Sequence, residues 1–527
     1  MHDADSCTFT PYCWAMSLEP VAKHGLFFVD QFKTDPPQHL STFCDHVLET
    51  IGYMSNRQAG AVGVPDLLIY MYYFWQRDVK NNHYLRDPDY YARQCIQKVL
   101  YDMNQPYLRI TQAAFTNVTI MDEEYLVGLF GSKTFPDGDP IMNHIDNIIE
   151  FEKIFMEEVK KTREKHTFTY PVLTYSLLFQ KGKFVCEDFA HWCSDMNIDW
   201  MDSNFYVGSS VTSLSSCCRL INDTSKLSAF INSIGGTALQ VGSVKVSTIN
   251  LRRIALEAYG DEDEYISILR KRLRTNLIGL DVQRHIIKRN IEKGLLPQYN
   301  YGLVELEKQY STIGITALYE TLCDFGYIGT DDFGNKFYTR EADAFACRIL
   351  DEINKVKDEW TADKDYSVNV EAVPGETCNV KLAVMDHLLY PDAPDYYIYG
   401  NQWIPLREQC TLNEKIRLGA MLDTKCGGGQ IMHANIEGKF ASKEQAWQLL
   451  NEIARKGVIY FAFNGKIKEC KNSHHWVGGD RCPHCGEPTS EEYTRIVGFL
   501  RPRSSFSKER KREYDERTWF PVGDGQM

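Results

Sequence analysis

Cysteine and histidine residues near the C-terminus lie at a spacing that suits a bound metal ion. Cys482 and Cys485 form a Cys-x-x-Cys pair, and Cys470, His474 and His475 come shortly before them. Zn²⁺ prefers four sulfur or nitrogen ligands in a tetrahedron, and a tight turn lets two thiolates bind one ion. The three cysteines with either His474 or His475 complete that set, which predicts a structural zinc that orders the segment. A redox-active Cys-x-x-Cys pair is the alternative, but it leaves the third cysteine and the histidines unexplained.

A single glycine, Gly498, follows this motif between the apolar residues Val497 and Phe499. The ordinary interpretation is a glycine at which another backbone approaches closely. Radical chemistry is the other interpretation. The neighbouring amide groups stabilise a Cα radical on glycine, and no Cβ atom opposes its planarity. Such a radical needs a dry, apolar site and a cysteine thiol with which it can exchange a hydrogen atom. Taken alone, the pattern favours the ordinary interpretation.

The segment around Gly498 resembles a known radical site. Residues 493–500, just after the Cys/His motif, are similar to the C-terminal glycyl-radical segment of anaerobic (class III) ribonucleoside-triphosphate reductases. Further blocks of that family occur in order along nearly the whole chain, at residues 2–5, 11–13, 36–42, 217–219, 246–255, 311–314 and 374–376. The order of these blocks, together with the C-terminal pair of motifs, carries the resemblance.

The resemblance implies roles for cysteines that are far apart in the chain. Gly498 would take a hydrogen atom from Cys218, and the resulting thiyl radical would abstract the 3′ hydrogen of the ribose. The 2′ hydroxyl would leave as water, while Cys13 supplies the reducing equivalent from the opposite face of the sugar. Cys217 is adjacent to Cys218 and remains the alternative thiyl residue. In the family, a separate activating enzyme with an iron–sulfur cluster and S-adenosylmethionine makes the glycyl radical.

Two stretches are expected to hold the ribonucleoside triphosphate. Residues 374–377 indicate a turn into a helix, where the N–H groups around Gly375 and Thr377 can bind phosphate. Ser41 and Thr42 would add hydroxyl donors, although their simpler role is to cap a helix. Glu376 is expected to bind a ribose hydroxyl or to move a proton. The alternative for Glu376 is a carboxylate that the helix dipole favours in a first turn.

The chain departs from the family pattern in three places. It starts almost at the His-Asp block, so we expect the N-terminal ATP-cone domain to be absent, with a clipped N-terminus as the alternative. The absence of that domain leaves open whether dNTP or ATP effectors bind at another site of the chain. Ser243 stands where formate-using members have asparagine, so a thiol redoxin competes with formate as the predicted reductant. Family members usually have a second Cys-x-x-Cys pair in the zinc motif. In this chain, Cys470 with His474 or His475 takes its place.

Alternating helices and strands must position these residues. The sequence predicts helices over about residues 143–165, 252–259, 263–293 and 442–456, and strands over about 172–179, 243–251 and 458–463. This alternation favours an α/β architecture. The resemblance implies a ten-stranded α/β barrel of the glycyl-radical enzyme and ribonucleotide reductase type, with a small C-terminal zinc-binding glycyl-radical module. We place the catalytic body at residues 1–430 and the module at 431–527, with the zinc knuckle at 470–485 and the radical loop at 493–500.

Composition narrows the classes of function. The 527 residues carry a net charge of −13, which opposes binding to nucleic acid polymers and to anionic membranes. No apolar run reaches the length of about 20 residues that spans a bilayer, and the N-terminal residues 1–5 lack the basic and apolar regions of a signal peptide. Sixteen cysteines in such a chain indicate reduced thiols rather than a disulfide framework. A cytoplasmic protein is therefore predicted, and the family implies a homodimer.

Two other functions compete with the reductase. One is another glycyl-radical enzyme, such as a pyruvate formate-lyase relative, which the adjacent Cys217 and Cys218 favour. The Cys/His motif and Cys13 argue against that enzyme. The other is a nucleotide-binding scaffold that never carries a radical. Glycyl-radical spectroscopy after anaerobic activation distinguishes the scaffold from both enzymes.

Overall fold

The computed structural model describes residues 10–28, 32–109, 113–211, 213–216, 220–223, 242–373, 375–496 and 498–522. Its strands are β1 (Cys13–Ala15), β2 (Val62–Gly63), β3 (Thr116–Met121), β4 (Val172–Gln180), β5 (Lys183–Phe184), β6 (Ser203–Gly208), β7 (Ser213–Ser216), β8 (Leu220–Asp223), β9 (Gly242–Asn250), β10 (Gln309–Thr316), β11 (Ile328–Thr330), β12 (Lys336–Tyr338), β13 (Val368–Ala372), β14 (Met432–Glu437), β15 (Tyr460–Asn464), β16 (Ile467–Cys470), β17 (His475–Val477), β18 (Thr489–Arg495), β19 (Leu500–Pro502) and β20 (Phe520–Pro521).

The α-helices connect and cover these strands. They are α1 (Glu19–His24), α2 (Leu40–Ser55), α3 (Leu67–Lys80), α4 (Pro88–Met103), α5 (Glu123–Phe130), α6 (Ile145–Arg163), α7 (Glu187–Asn197), α8 (Leu251–Ala258), α9 (Glu262–Glu292), α10 (Pro297–Asn300), α11 (Leu318–Asp324), α12 (Arg340–Thr361), α13 (Glu376–Leu389), α14 (Leu412–Leu422), α15 (Lys443–Lys456) and α16 (Lys508–Asp515).

One large mixed sheet organises the molecule. Strands β1, β2, β3, β4 and β6 form a parallel set, and β9, β10 and β13 form a second parallel set. The two sets run antiparallel where β9 pairs with β1, and β15 pairs antiparallel with β6. Strand β14 lies parallel to both β15 and β20. Gly429, three residues before β14, also makes a parallel bridge to Glu371 in β13.

The predicted elements are found close to their expected positions. The strand expected over residues 172–179 is β4, and the helices expected over 263–293 and 442–456 are α9 and α15. The helix expected over 143–165 begins two residues later, because residues 141–144 form a 3-10 turn after Pro140. Ser442 caps α15 by accepting a hydrogen bond from the backbone of Gln445, as serine at this position commonly does. The mixed α/β class predicted from alternation is confirmed.

A smaller antiparallel sheet carries the C-terminal motifs. Its strand order is β17-β16-β18-β19, and the Cys/His motif and Gly498 lie in its connections. Strands β14, β15 and β20, which belong to the stretch predicted as a separate module, are hydrogen-bonded into the main sheet. Among the described residues, no helix combines the length and the apolar character that crossing a bilayer requires.

Candidate active site and metal centre

Two tight turns bring the Cys/His motif together. At the end of β16, the backbone N–H of Cys470 donates to the carbonyl of His474, and Ser473 adopts a left-handed φ of 59°. In the second turn, the N–H of Gly486 donates to the carbonyl of Cys482, and Gly486 has a φ of 72°. Left-handed backbone of this kind favours glycine, which explains why Gly486 follows the Cys-x-x-Cys pair.

The four side chains Cys470, His474, Cys482 and Cys485 place their ligand atoms within 4.8 Å of one another. The Cys470 and Cys485 sulfurs are 3.7 Å apart. The His474 Nδ1 atom lies 3.3 to 3.6 Å from the three sulfurs. Bond lengths of about 2.3 Å to sulfur and about 2.0 Å to nitrogen give tetrahedral edges of about 3.5 to 3.8 Å. The donor set and its dimensions therefore fit one tetrahedral zinc ion.

His475 takes a different direction from His474. Its ring is buried, and its Nε2 atom lies 3.6 Å from a carboxylate oxygen of Glu469. Burial lowers the pKa of His475, which favours the neutral ring. Of the two histidines that the sequence left open, His474 is the one that lies among the cysteines.

The local hydrogen bonds favour ionised sulfur at Cys485. The backbone N–H of Glu487 and the side-chain amide of Asn472 lower the pKa of Cys485 to about 6. Asn472 Nδ2 lies 3.5 Å from the Cys485 sulfur. Because the thiolate is the form of cysteine that binds a metal, these donors prepare the ligand for an ion.

Gly498 is buried in the connection between β18 and β19. Its neighbours Ile496 and Phe499 pack with Val172, at the start of β4, in one apolar cluster. The Phe499 ring makes an edge contact with Phe115, with ring centroids 4.8 Å apart. Tyr170 adds a third ring, 5.9 Å from that of Phe499. The glycine therefore lies beside an apolar, aromatic wall. Val497 lies outside the described residues.

Buried polar groups anchor the strand that leads to Gly498. The side-chain oxygen of Asn464 accepts hydrogen bonds from the Thr494 hydroxyl at 3.1 Å and from the Arg495 backbone N–H at 3.2 Å. The guanidinium of Arg495 is 1% exposed and donates to the carbonyl of Met201 at 2.6 Å. Burial lowers the pKa of Arg495 to about 10, so it remains a cation at neutral pH.

Cys13 lies in β1, at the antiparallel junction of the two parallel sets. It is 5% exposed and stands directly across from Ser243 in β9. An added Cβ at Gly242 would meet the Cys13 carbonyl oxygen at 2.2 Å, and one at Gly60 would meet the Cys13 Cβ at 3.1 Å. These close approaches require glycine on both sides. The Ser243 hydroxyl is 2.7 Å from the hydroxyl of Thr312 in β10.

Phe115 packs in both regions of candidate chemistry, the one around Cys13 and the one around Phe499, next to Gly498. It packs against the small apolar cluster that contains Cys13 and Ala61, and also against the cluster that contains Phe499. Its backbone carbonyl accepts from the N–H of Val62 in β2, which fixes it to the main sheet. An N-terminal cysteine and the C-terminal glycine segment thus meet through one aromatic ring. Cys217 and Cys218, the candidate thiyl residues, lie outside the described residues.

The candidate phosphate-binding turn precedes α13. Gly375 has a φ of 26°, and an added Cβ there would lie 2.1 Å from the side-chain oxygen of Asn379. Asn379 is buried and also accepts from the hydroxyl of Thr316, at the end of β10. Thr377, in the first turn of α13, is exposed. The side chain of Glu376 is outside the described part of the chain.

Ser41 and Thr42 lie in the first turn of α2. The N–H of Leu40 donates to Asp78 at 2.8 Å, and the N–H of Ser41 donates to the Tyr91 hydroxyl at 3.2 Å. Protein groups therefore already satisfy these two donors at the helix start.

Several residues that hold this region together could not be identified from the sequence. Asn464 and Arg495 form the anchor before Gly498, and Phe115 joins the two regions. No short spacing marks them, because their partners are tens to hundreds of positions away along the chain. The Cys/His motif between Cys470 and Cys485, by contrast, could be recognised from the sequence.

The fold and the site together define a mixed α/β protein with a Cys₃His cluster that fits a metal ion and a buried C-terminal glycine, at opposite ends of β18. The family profile of anaerobic ribonucleoside-triphosphate reductase matches residues 1–520. The chain therefore belongs to the anaerobic ribonucleoside-triphosphate reductase family, and the resemblance inferred from the sequence is confirmed.

Individual relatives agree with this membership. The anaerobic ribonucleoside-triphosphate reductases of Salmonella typhimurium and Escherichia coli are each 24% identical over 314 residues, which is 54% of this chain and 43% of each relative. The chain thus spans less than half the length of these curated relatives. The crystal structure of the anaerobic ribonucleotide reductase from Thermotoga maritima in complex with dATP and CTP is 39% identical, with a TM-score of 0.89. That match covers 97% of this chain and 84% of the Thermotoga chain.

Proposed function

We propose that this chain is the catalytic, glycyl-radical subunit of an anaerobic ribonucleotide reductase that converts ribonucleoside triphosphates to 2′-deoxyribonucleoside triphosphates. One observation carries the proposal: Phe115 contacts both the cluster around Cys13 and the cluster around Phe499, next to Gly498. Radical storage and thiol reduction need to be close to one sugar, and this contact brings the two ends of the chain together. Family membership supplies the class of reaction.

In the proposed reaction, Gly498 stores the radical and the residues around it protect it. The apolar wall of Phe115, Tyr170 and Phe499 keeps water away from the Cα atom. Cys218 gives its hydrogen atom to the Gly498 radical, and its thiyl radical removes the 3′ hydrogen of the ribose. The 2′ hydroxyl then leaves as water after protonation, and Cys13 delivers a hydrogen atom to C2′, which leaves a 3′ ketone and a Cys13 thiyl radical. Formate or a thiol redoxin supplies two electrons, with protons: one reduces the ketone to a C3′ radical and the other restores the Cys13 thiol. Cys218 then returns its hydrogen atom to C3′ and takes one from Gly498, which restores the glycyl radical.

The reductant is a specific part of this proposal. Cys13 faces Ser243, whose hydroxyl is held by Thr312 and by the carbonyl of Lys245 at 3.1 Å. Serine is shorter than the asparagine of formate-using members and carries no amide. This difference supports a thiol redoxin over formate. An anaerobic assay that compares the two donors tests the choice.

Substrate binding is assigned to the turn before α13. The tight packing of Gly375 on Asn379 holds the start of this helix against the end of β10. We assign Gly375 and Thr377 to the phosphates and Glu376 to the ribose or to proton transfer. Ser41 and Thr42 are assigned to phosphate through their hydroxyl groups. The Thermotoga structure contains CTP and dATP, and we propose the same classes of substrate and effector here.

The Cys₃His cluster is assigned to a structural zinc ion held by Cys470, His474, Cys482 and Cys485. Four protein ligands leave no open position, so the ion would supply folding energy rather than catalysis. Because β16 pairs with β18, order in the cluster extends to the strand that precedes Gly498.

We further infer that the main sheet closes into a ten-stranded barrel. The barrel would combine the five strands of the first parallel set with β9, β10 and β13 of the second and with β14 and β15. The bridge from Glu371 to Gly429 supports closure between β13 and β14. The C-terminal segment would then place Gly498 at the barrel, with the small sheet as a zinc-binding module. A radical-SAM activating enzyme and a second copy of the chain are the expected partners.

Anaerobic activation tests the function directly. The chain is mixed with a radical-SAM activating enzyme, S-adenosylmethionine and a reductant, and electron paramagnetic resonance then measures the glycyl radical. The expected result is a doublet signal, followed by formation of deoxynucleotide when CTP and an electron donor are added. A radical without any deoxynucleotide would indicate a different glycyl-radical enzyme. Absence of both the doublet signal and the deoxynucleotide after this treatment would reject the proposal.

A further inference from the structure

We propose that His39, Asp78 and His83 form a second metal site, which binds a divalent transition-metal ion where α2 meets α3. Each of these side chains offers one ligand atom, and the three atoms lie within 4.8 Å of one another. The cluster uses no residue of the Cys₃His centre and none assigned to the radical reaction. It therefore adds a binding site to the proposed function.

Asp78 is the fixed centre of this cluster. Its side chain is 1% exposed, and its Oδ2 atom accepts from the Leu40 N–H at 2.8 Å and the Tyr91 hydroxyl at 3.1 Å. Its Oδ1 atom lies 2.7 Å from Nδ1 of His39. Because Oδ2 takes both hydrogen bonds from the protein, Oδ1 is left to bind an ion together with a nitrogen of His39.

A turn of defined geometry brings His83 to the same place. After α3 ends at Lys80, Asn82 adopts a left-handed φ of 52°, and the N–H of His83 donates to the carbonyl of Asp78 at 2.8 Å. The His83 ring then stacks on the His39 ring, with centroids 3.6 Å apart and planes 19° apart. The site is reached from solvent, because the His39 side chain is 40% exposed and His83 is also exposed.

The ligand types determine the class of ion. Two imidazoles with one carboxylate suit Zn²⁺, Ni²⁺ or Cu²⁺, whereas Mg²⁺ and Ca²⁺ prefer oxygen ligands. The cluster also lies at the C-terminal end of α3, where the helix dipole favours a cation. Two nitrogens about 2.1 Å from one ion require the stacked rings to separate to about 5 Å. The exposed turn that carries His83 can make this movement.

Nickel titration of the untagged, unactivated chain tests the site. The chain is first loaded with one equivalent of zinc to fill the Cys₃His cluster, and Ni²⁺ is then added in a calorimeter. We expect one additional Ni²⁺ per chain, with the zinc content unchanged by elemental analysis. His83→Ala should weaken this binding by at least about 10-fold, because it removes one of two nitrogen ligands.

His285→Ala is the matched control. His285 is also an exposed histidine beside an aspartate, with Nδ1 3.8 Å from Asp281, and it belongs to no described cluster of three ligands. This variant should bind Ni²⁺ as the parent chain does. Equal binding in His83→Ala and the parent, or no additional Ni²⁺ in the parent, would overturn the proposal.

A second measurement uses only the parent chain, so misfolding of a variant cannot affect it. Ni²⁺ should slow the modification of His39 and His83 by diethyl pyrocarbonate in the parent chain, as measured by peptide mass spectrometry, and should leave His285 unprotected. Equal modification rates with and without Ni²⁺ would contradict the site. Both measurements use unactivated protein, so failure of the radical reaction does not affect them.

Discussion

At the scale of single residues, the contacts of Phe115 explain how distant parts of the chain could share one reaction. Phe115 packs against the cluster that contains Phe499, next to Gly498, and also against the cluster of Cys13. Ser243 faces Cys13 across the junction of β1 and β9. These contacts join residues that are separated by more than a hundred positions.

The first prediction separates radical storage from turnover. Cys218→Ala should still form the glycyl radical on activation, because Gly498 is unchanged, but it should make no deoxynucleotide. Paramagnetic resonance and a nucleotide assay on the same sample measure the two properties. Cys217→Ala is the matched control and should keep turnover within a few-fold of the parent. The reverse result would assign the thiyl radical to Cys217.

The second prediction concerns the aromatic wall. Phe115→Ala should leave the chain folded but shorten the lifetime of the glycyl radical under anaerobic conditions, because the truncated ring admits water beside Phe499. Removal of a large, partly buried ring costs about 3 kcal/mol or less of folding stability. Phe333→Ala, at a ring that is 83% exposed, is the control and should change neither property. An unchanged lifetime in Phe115→Ala would argue against a protective role.

The residues that could be predicted from the sequence are those whose partners are close along the chain. Cys470, Cys482, Cys485 and two candidate histidines fall within sixteen positions, and their residue types predicted a tetrahedral site. The choice of His474 over His475 needed the structure. Asn464 could not be assigned, because an asparagine after an apolar strand has no distinguishing pattern. Its role depends on the later approach of β18 to β15, which is a property of the tertiary fold.

At the scale of elements, α16 stabilises the segment before Gly498. Glu513 in this helix is buried between Arg510 and Arg517, with oxygen–nitrogen distances of 2.7 Å to each. Arg517 in turn donates to the carbonyl of Arg495 at 2.8 Å. The helix, the ion pair and the end of β18 therefore form one connected unit.

The third prediction tests this unit through its pH dependence. Burial raises the pKa of Glu513, but Arg517 and Arg510 outweigh it and hold the pKa at about 2. A carboxyl group whose pKa is lowered on folding stabilises the protein above its unfolded pKa of about 4.3, and this stability is lost as the pH falls towards 2. Glu513→Gln should lower the free energy of unfolding at pH 7 by about 3 kcal/mol.

Urea denaturation at pH 7 and at pH 3 measures this effect. The difference between Glu513→Gln and the parent should become smaller at pH 3, because the unfolded parent chain binds a proton at Glu513 there while the folded chain keeps the charge, so part of the stabilisation is lost. Glu516→Gln changes an exposed carboxylate of the same segment, paired with Arg512, and should cost less than about 1 kcal/mol. A constant difference at both pH values would show that the charge of Glu513 is not the cause.

Elements were easier to predict than the way in which they combine. Apolar runs such as β4 and the amphipathic helix α15 were recognisable, because burial on one side leaves a regular pattern. The sequence did not predict that β14, β15 and β20 belong to the main sheet. The chain near Gly427 has the composition of a boundary, yet Gly428 donates its N–H to the carbonyl of Val370 in β13 at 2.6 Å.

At the scale of the whole molecule, the metal cluster and the main sheet are joined through the small sheet. The fourth prediction is that His474→Ala loses zinc and His475→Ala retains it, since only His474 lies among the sulfurs. Elemental analysis measures the zinc. The zinc-free variant should be cleaved by protease within residues 465–495 and should form little radical. Equal zinc contents in the two variants would contradict the assignment of His474.

The fifth prediction follows the activated chain into air. Oxygen should react with the Gly498 radical and cut the backbone there, so that denaturing mass spectrometry finds a chain lacking the residues from that point to Met527. Gly498→Ala, which cannot store the radical in the same way, should remain intact. An uncut parent chain after a confirmed radical signal would contradict the assignment of Gly498.

The pairing of β20 with β14 gives such a cut an unusual outcome. Phe520 and Pro521 lie in register with Ile436 and Glu437 of the main sheet, and Arg517 is bonded to Arg495 on the other side of the cut. The severed tail is thus an integral strand of the fold, held by contacts that do not depend on chain continuity. A damaged molecule would keep its shape and its tail while having lost its chemistry. In a cell, it would compete with intact copies for nucleotides and partners, and proteases that recognise unfolded chains would overlook it.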